Sequence, residues 1–377
     1  MKKFTIFFGL VLAGVVMYQI QSGKLVFTDA MNLTGAQPVA IKQMAVKTAE
    51  KTEDDIEKIE IEDIEEEENA DFKILAFGDM MLGRYVRTMA DRNGGLDYLF
   101  AKFETGPKGL FPQADVVFGN LEGPISGKGK SGGTAMVFSF NEDIAPFLKN
   151  SGFDVLSISN NHALDQGSKG RDSTITALEQ SELGWCGHPS EADPESIYYG
   201  EIGEKKYAFA CFQDITHKLD LEDALEMIRR LDAHVDYVIV SVHWGIEYKN
   251  SANSAMQVDP GHDFVDAGAD FVIGHHPHVV QNFEIYKDKF IFYSLGNFVF
   301  DQYWSKATQE ELAIGITLKE DGSSEVQLIP MKSANSQSRL MTEEESKEWI
   351  ERFIGYGDYS EEIQSMIRNK VVIIDPK

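Results

Sequence analysis

The chain has 377 residues, 43% of them hydrophobic and 11% aromatic, enough apolar material for one large α/β domain with accessory segments. Its formal net charge of −26 argues against nucleic acid as a partner, because a phosphate backbone demands a basic face. Two cysteines, Cys186 and Cys211, are too few for a disulfide framework, although they can pair in an oxidising compartment.

Lys2 and Lys3 precede an uncharged stretch from Phe4 to Gly23 with a strongly apolar centre. As a helix such a stretch is roughly 30 Å long, about the thickness of a bilayer's hydrocarbon core. The lysines predict a cytoplasmic N-terminus and an extracytoplasmic main domain, a single-pass anchor in the cell membrane. A cleaved signal peptide is the alternative, but Gln21-Ser22-Gly23 makes a poor cleavage site. Residues 24–70 lack apolar periodicity and end in an acidic run. Between Glu50 and Asp71 there are 13 acidic and 2 basic residues, so like-charge repulsion predicts an extended linker. A metal-binding domain is expected over residues 71–335, and a helical C-terminal segment over 336–377.

Within that domain one pattern recurs: an apolar strand runs out and polar residues follow at once. FKILAFGD ends in Asp79 and VVFGNLE in Glu122. DVLSISNNH ends in Asn161 and His162, YVIVSVHW carries His243, and FVIGHHPH ends in His275, His276 and His278. Helical patterns lie between, over Ser168–Ser181, Leu221–Leu231 and Gln257–Gly268. Strands alternating with helices predict a layered α/β fold with its chemistry along one sheet edge. After Asn282 the pattern changes to hairpins, with turns near Lys287-Asp288 and at Asp321-Gly322.

Singly, each polar residue has an ordinary explanation: Asp79 can cap a loop, Asn120 and Glu122 can satisfy a turn, and Asn160, Asn161 and Asp165 can be caps. Together they form a mixture of carboxylate, amide and imidazole without thiolate, the donor set of a borderline divalent cation such as Zn or Mn. His276 and His278, at i and i+2, share a face of an extended segment that Pro277 stiffens. Such a centre, with one or two ions, would acidify bound water and polarise a carbonyl or phosphoryl oxygen. The loop GPISGKGKSGGT has Pro124 where a P-loop needs glycine, and reads as a flap whose Lys128 and Lys130 can meet an anion.

The ordered blocks GDMMLGR, GNLEGPIS, NNHALDQG, HWGIEY, GHHPHVVQ and SLGNFVFDQ span roughly residues 72–305 and resemble the CapA family of capsule and poly-γ-glutamate synthesis. That family is itself similar to calcineurin-like metallophosphoesterases. The resemblance implies a four-layered α/β/β/α metallophosphoesterase-like sandwich with a bimetallic-type site. By motif, Asp79 and His278 would bind the first metal, with Glu122 in the bridging place, and Asn161, His243 and His276 the second. His275 is the alternative to His276. His162 would be the general acid or oxyanion donor, with Asp165 as its catalytic companion. Asn120, Arg84 and Asn297 would contact substrate. One departure stands out: phosphoesterases carry Asp-x-His in the first block, where this chain has Asp79-Met80-Met81. The expected activity is that of a metal-dependent hydrolase-like envelope protein acting on an anionic cell-envelope polymer, with other capsule-synthesis membrane proteins as further partners. The alternatives are a non-catalytic assembly subunit and a true phosphoesterase. Phe298, Phe300, Tyr303 and Trp304 are candidates for a polymer groove.

Overall fold

The computed structural model describes residues 7–11, 14–21, 24–28, 71–127 and 136–376. Two compact units result, 1–65 and 66–377. In the first, β1 (Phe7–Val11), β2 (Gly14–Gln21) and β3 (Lys24–Thr28) form an antiparallel sheet. The expected helix runs over residues 4–23, of which 7–11 and 14–21 are described, as strands. Its phenylalanines and valines suit either state, and glycines recur at positions 9, 14 and 23, so a short apolar run does not decide between them. Among the described residues no helix is long and apolar enough to cross a membrane.

The second unit opens with β4 (Phe72–Met80) and α1 (Arg84–Arg92). Then come β5 (Val116–Leu121), α2 (Ile144–Asn150), β6 (Val155–Ser157), α3 (Gly167–Gln180) and β7 (Gly184–Cys186). Strands β4, β5, β6 and β7 pair in parallel. Next are β8 (Ile197–Ile202), β9 (Lys205–Gln213), α4 (Leu221–Asp232), β10 (Tyr237–His243), α5 (Asp259–Asp266) and β11 (Phe271–His275). The hairpin β12 (Phe283–Tyr286) and β13 (Lys289–Phe292) completes a six-stranded sheet ordered β12-β13-β11-β10-β9-β8. Lys287 and Asp288 both have positive φ, the conformation that a two-residue hairpin turn requires. The chain then returns to the first sheet. It does so through β14 (Asn297–Val299) beside β4, β15 (Glu310–Leu318), β16 (Ser324–Ala334) and β17 (Gln337–Leu340). Helices α6 (Glu343–Ile354) and α7 (Glu361–Arg368) and strand β18 (Val371–Ile374) finish it. β18 pairs with β16, and Trp349, Phe353 and Ile367 join the core between the sheets.

The layering follows from the two-residue period of strands buried on both faces. In β4, Ile74 and Ala76 face the core between the sheets, while Leu75 and Phe77 face the cluster that includes Val86 of α1, Leu148 of α2 and Leu178 of α3. In β9, Tyr207, Phe209 and Cys211 face inward, and Ala208, Ala210 and Phe212 face a third cluster with Ile228 of α4 and Phe264 of α5. Mixed sheets with helices on their outer faces are thus dictated by alternate apolar residues, each fully buried side chain contributing about 1.5–3 kcal/mol. A disulfide, Cys186–Cys211, joins β7 of one sheet to β9 of the other. Parallel pairing brings the carboxyl ends of β4, β5, β6, β10 and β11 to one edge, where ligands bind in such sheets.

Candidate metal centre

Strand register builds the centre. Across the first sheet Asp79 pairs with Asn120 and with Asn297, and across the second His243 pairs with His275. Gly78 permits the close approach of β14: a Cβ there would stand 2.0 Å from the Gly296 carbonyl oxygen. The Asp79 amide donates to that same oxygen at 2.9 Å.

Asp79 is fully buried, and its carboxylate accepts from Asn120 Nδ2 (2.8 Å) and from the His276 amide (3.0 Å). His275 Nδ1 lies 3.2 Å from Asp79 Oδ1, an ion-pair distance without hydrogen-bond geometry. Burial alone would raise this carboxyl, but the imidazoles of His275, His243 and His278 outweigh it and hold its pKa below the ordinary value. Glu122 is equally buried, and neither of its carboxylate oxygens has a hydrogen-bond partner. Burial, with the charges of Asp79, Glu247 and Asp165, pushes it well above the carboxylate range. Near Glu122 Oε1 stand His278 Nε2 at 3.7 Å and His162 Nε2 at 3.8 Å.

The hydrogen bonds fix which nitrogen of His278 is free. Asn297 Nδ2 donates to Gln302 Oε1 and to the Thr308 carbonyl, so Asn297 Oδ1 accepts from His278 Nδ1 at 3.0 Å. His278 therefore turns its Nε2 lone pair toward Glu122, the arrangement by which an outer partner orients a metal-binding histidine. Asn120 Nδ2, a donor to Asp79, also lies 3.3 Å from His243 Nδ1. His243 Nε2 and Asn161 Oδ1 lie 2.9 Å apart. Burial holds the pKa values of His243, His276 and His278 below the ordinary value, His276 at about 3, so all three are neutral donors at pH 7.

His276 and His278 do not sit on an extended segment. Both have positive φ, 97° and 56°, in a turn that follows β11 directly. His162 stacks on Phe138 with ring centroids 3.9 Å apart and shares a 2.8 Å contact between its Nδ1 and Asp165 Oδ2. Asp165 also accepts from the Phe138 amide. Asn120 and Asn297 depart from their expected place at the substrate: both are buried and their polar atoms are already engaged, so they position Asp79, His243 and His278. Arg84 is one ring removed. Its guanidinium lies 5.4 Å from the Phe138 centroid and pairs with Asp301 at 3.1 Å. Phe298 and Phe300 belong to the core, whereas Trp304 is 60% exposed and stands 5.7 Å from Tyr248. Lys128 and Lys130 lie outside the described residues.

Among the described residues, ligand atoms of Asp79, Glu122 and His278 lie within 4.8 Å of one another, and so do those of Glu247, His276 and His278. Glu247 escaped the sequence reading. Its signal was a carboxylate two residues beyond Gly245, whose φ of +85° turns the chain back over the site. Buried, unpartnered atoms on Glu122, His275 and His276 fit a bound divalent cation, which would supply Lewis acidity and an activated water. Met81, in the place of the missing histidine, is buried in the outer apolar cluster.

Fold and side chains together define a mixed α/β protein with a candidate divalent-metal centre at the carboxyl edge of two sheets. The family model described as bacterial capsule synthesis protein PGA_cap matches residues 73–302, and the chain belongs to that family. It is 31% identical over 301 residues to a capsule biosynthesis protein CapA of Bacillus anthracis, covering 74% of this chain and 72% of that one. It is also 32% identical over 271 residues to a PGA biosynthesis protein CapA of Bacillus subtilis, with 67% and 70% covered. Solved structures give more distant likenesses. A putative 5'-nucleotidase from Staphylococcus aureus is 14% identical, with 80% of this chain and 58% of that chain covered, at a TM-score of 0.44. A hypothetical protein from Thermus thermophilus is 16% identical, covering 71% and 96%, at 0.42.

Proposed function

We propose that this protein is a metal-dependent hydrolase-like enzyme of the cell envelope that processes an anionic polymer of the poly-γ-glutamate type during capsule synthesis. The observation that carries the reading is Glu122, a buried carboxylate with both oxygens free of hydrogen bonds, facing His278 and His162. A carboxylate in such a place is costly unless a cation meets it. Asp79, Asn161, His243, His276 and His278 are the other donors, and one or two Zn- or Mn-class ions suit the mixture. His162, held by Asp165 at Nδ1, presents Nε2 to the same space and is the proton donor to a leaving group. The half-exposed rings of Tyr248 and Trp304, and Tyr85 beside Tyr303, form the rim along which a polymer lies. Membrane attachment through the N-terminal apolar stretch, with the domain outside, agrees with the Cys186–Cys211 disulfide.

An assembly subunit without catalysis is the second reading, favoured by Met81 in the first block. His162 separates the two. Replacing it by Asn should leave metal content intact and reduce polymer or amide hydrolysis by about a hundred- to ten-thousand-fold. Polymer production restored in full by the Asn variant, with no hydrolysis by wild type, would establish the assembly role instead.

A further inference from the structure

We propose that Glu247 is a metal ligand of this chain, forming a cation site with His276 and His278. The inference rests on the metal-centre reading above. The ligand atoms of the three residues lie within 4.8 Å of one another, a span one ion bridges. His276 is only 5% exposed, and its Nδ1 has no hydrogen-bond partner, a buried imidazole nitrogen left free. His278 has its Nδ1 committed to Asn297, so Nε2 is the atom it offers.

The backbone is built to bring these two segments together. Trp244 donates its amide to the His275 carbonyl at 3.1 Å, and Tyr248 donates to the Pro277 carbonyl at 2.9 Å. These two bonds clamp the stretch containing Glu247 along the histidine turn. Gly245 makes the bend, and the Gln257 side chain fills the space a Cβ there would need, 2.6 Å away. Three side-chain-bearing residues, Tyr248, His276 and His278, hold positive φ on either side of the gap. Left-handed backbone at such residues costs about 1–3 kcal/mol each, and it persists where a site requires it. Carboxylate with two imidazoles is a donor set suited to Zn or Mn.

The test uses the full-length chain, stripped with chelator and titrated with Co(II) and Mn(II) by equilibrium dialysis with metal analysis. Glu247→Gln should weaken one class of site roughly tenfold or more and alter the Co(II) visible spectrum, while the metal-free unfolding midpoint stays put. Glu247→Asp, a shorter carboxylate, should fall between Gln and wild type, and it carries the comparison if the Gln variant does not fold. Wild-type affinity and an unchanged Co(II) spectrum in these variants would overturn the role of Glu247 and leave the metal centre standing. Absence of metal uptake by the wild type would overturn the centre itself.

Discussion

Replacing Glu122 by Gln should stabilise the metal-free protein and abolish its response to metal. The carboxyl has an ordinary pKa of 4.5, and in the folded chain burial and neighbouring negative charge raise it well above that. The folded state thus holds a proton that the unfolded state releases, and stability falls as pH rises from about 4.5 through the raised value. Each pH unit in that window removes about 1.4 kcal/mol, so by pH 7 the loss reaches at most about 3.5 kcal/mol. A Gln side chain of the same shape carries no charge and escapes this loss. In chelator, urea unfolding of full-length wild type and Glu122→Gln should therefore coincide near pH 4.5 and diverge upward, the variant being more stable. Saturating metal should reverse the order. An ion at a thousand times its dissociation constant adds about 4.1 kcal/mol to the wild type, more than that loss. A metal-free Gln variant that is less stable than wild type at pH 8, or a difference independent of pH, would refute the reasoning and make Glu122 a structural acceptor.

Gly78→Ala would force a Cβ to within 2.0 Å of the Gly296 carbonyl oxygen, where backbone rather than a side chain must yield. It should part β14 from β4, cost about 3 kcal/mol in urea unfolding and weaken metal binding by displacing Asp79 and Asn297 together. The disulfide closes a separation of 25 residues between the two sheets. Its removal by paired Cys186→Ser and Cys211→Ser should cost about 3–4 kcal/mol in chemical denaturation. No change in the midpoint would show that the pair is reduced in the working protein.

The strand ends were legible because each apolar run stops where the side chains must become polar, as at Asp79, Glu122 and His243. Continuous apolar runs placed β4 and β10 correctly, and the Lys287-Asp288 and Asp321-Gly322 turns marked real hairpins. What the pattern lacks is the direction of hydrogen bonds. Asn120 and Asn297 occur in motifs that look substrate-facing, yet their amides are spent on Asp79, His243 and His278. The His275–His278 turn defeated the expectation of an extended segment, because positive φ at two histidines is a tertiary imposition that local propensity disfavours. Glu247 was invisible for a related reason: only the bend at Gly245 and the two backbone clamps bring it to the histidines. The N-terminal stretch has aromatic, β-branched and glycine residues in proportions that suit strand as well as helix.

The most direct test of the account is elemental analysis of the purified full-length protein after reconstitution and extensive dialysis. The donor set around Glu122 predicts about one tightly held Zn- or Mn-class ion per chain with a second held more weakly, and loss of the tight ion in His243→Ala. Protein that retains no ion under these conditions, with its fold intact, would contradict the metal centre.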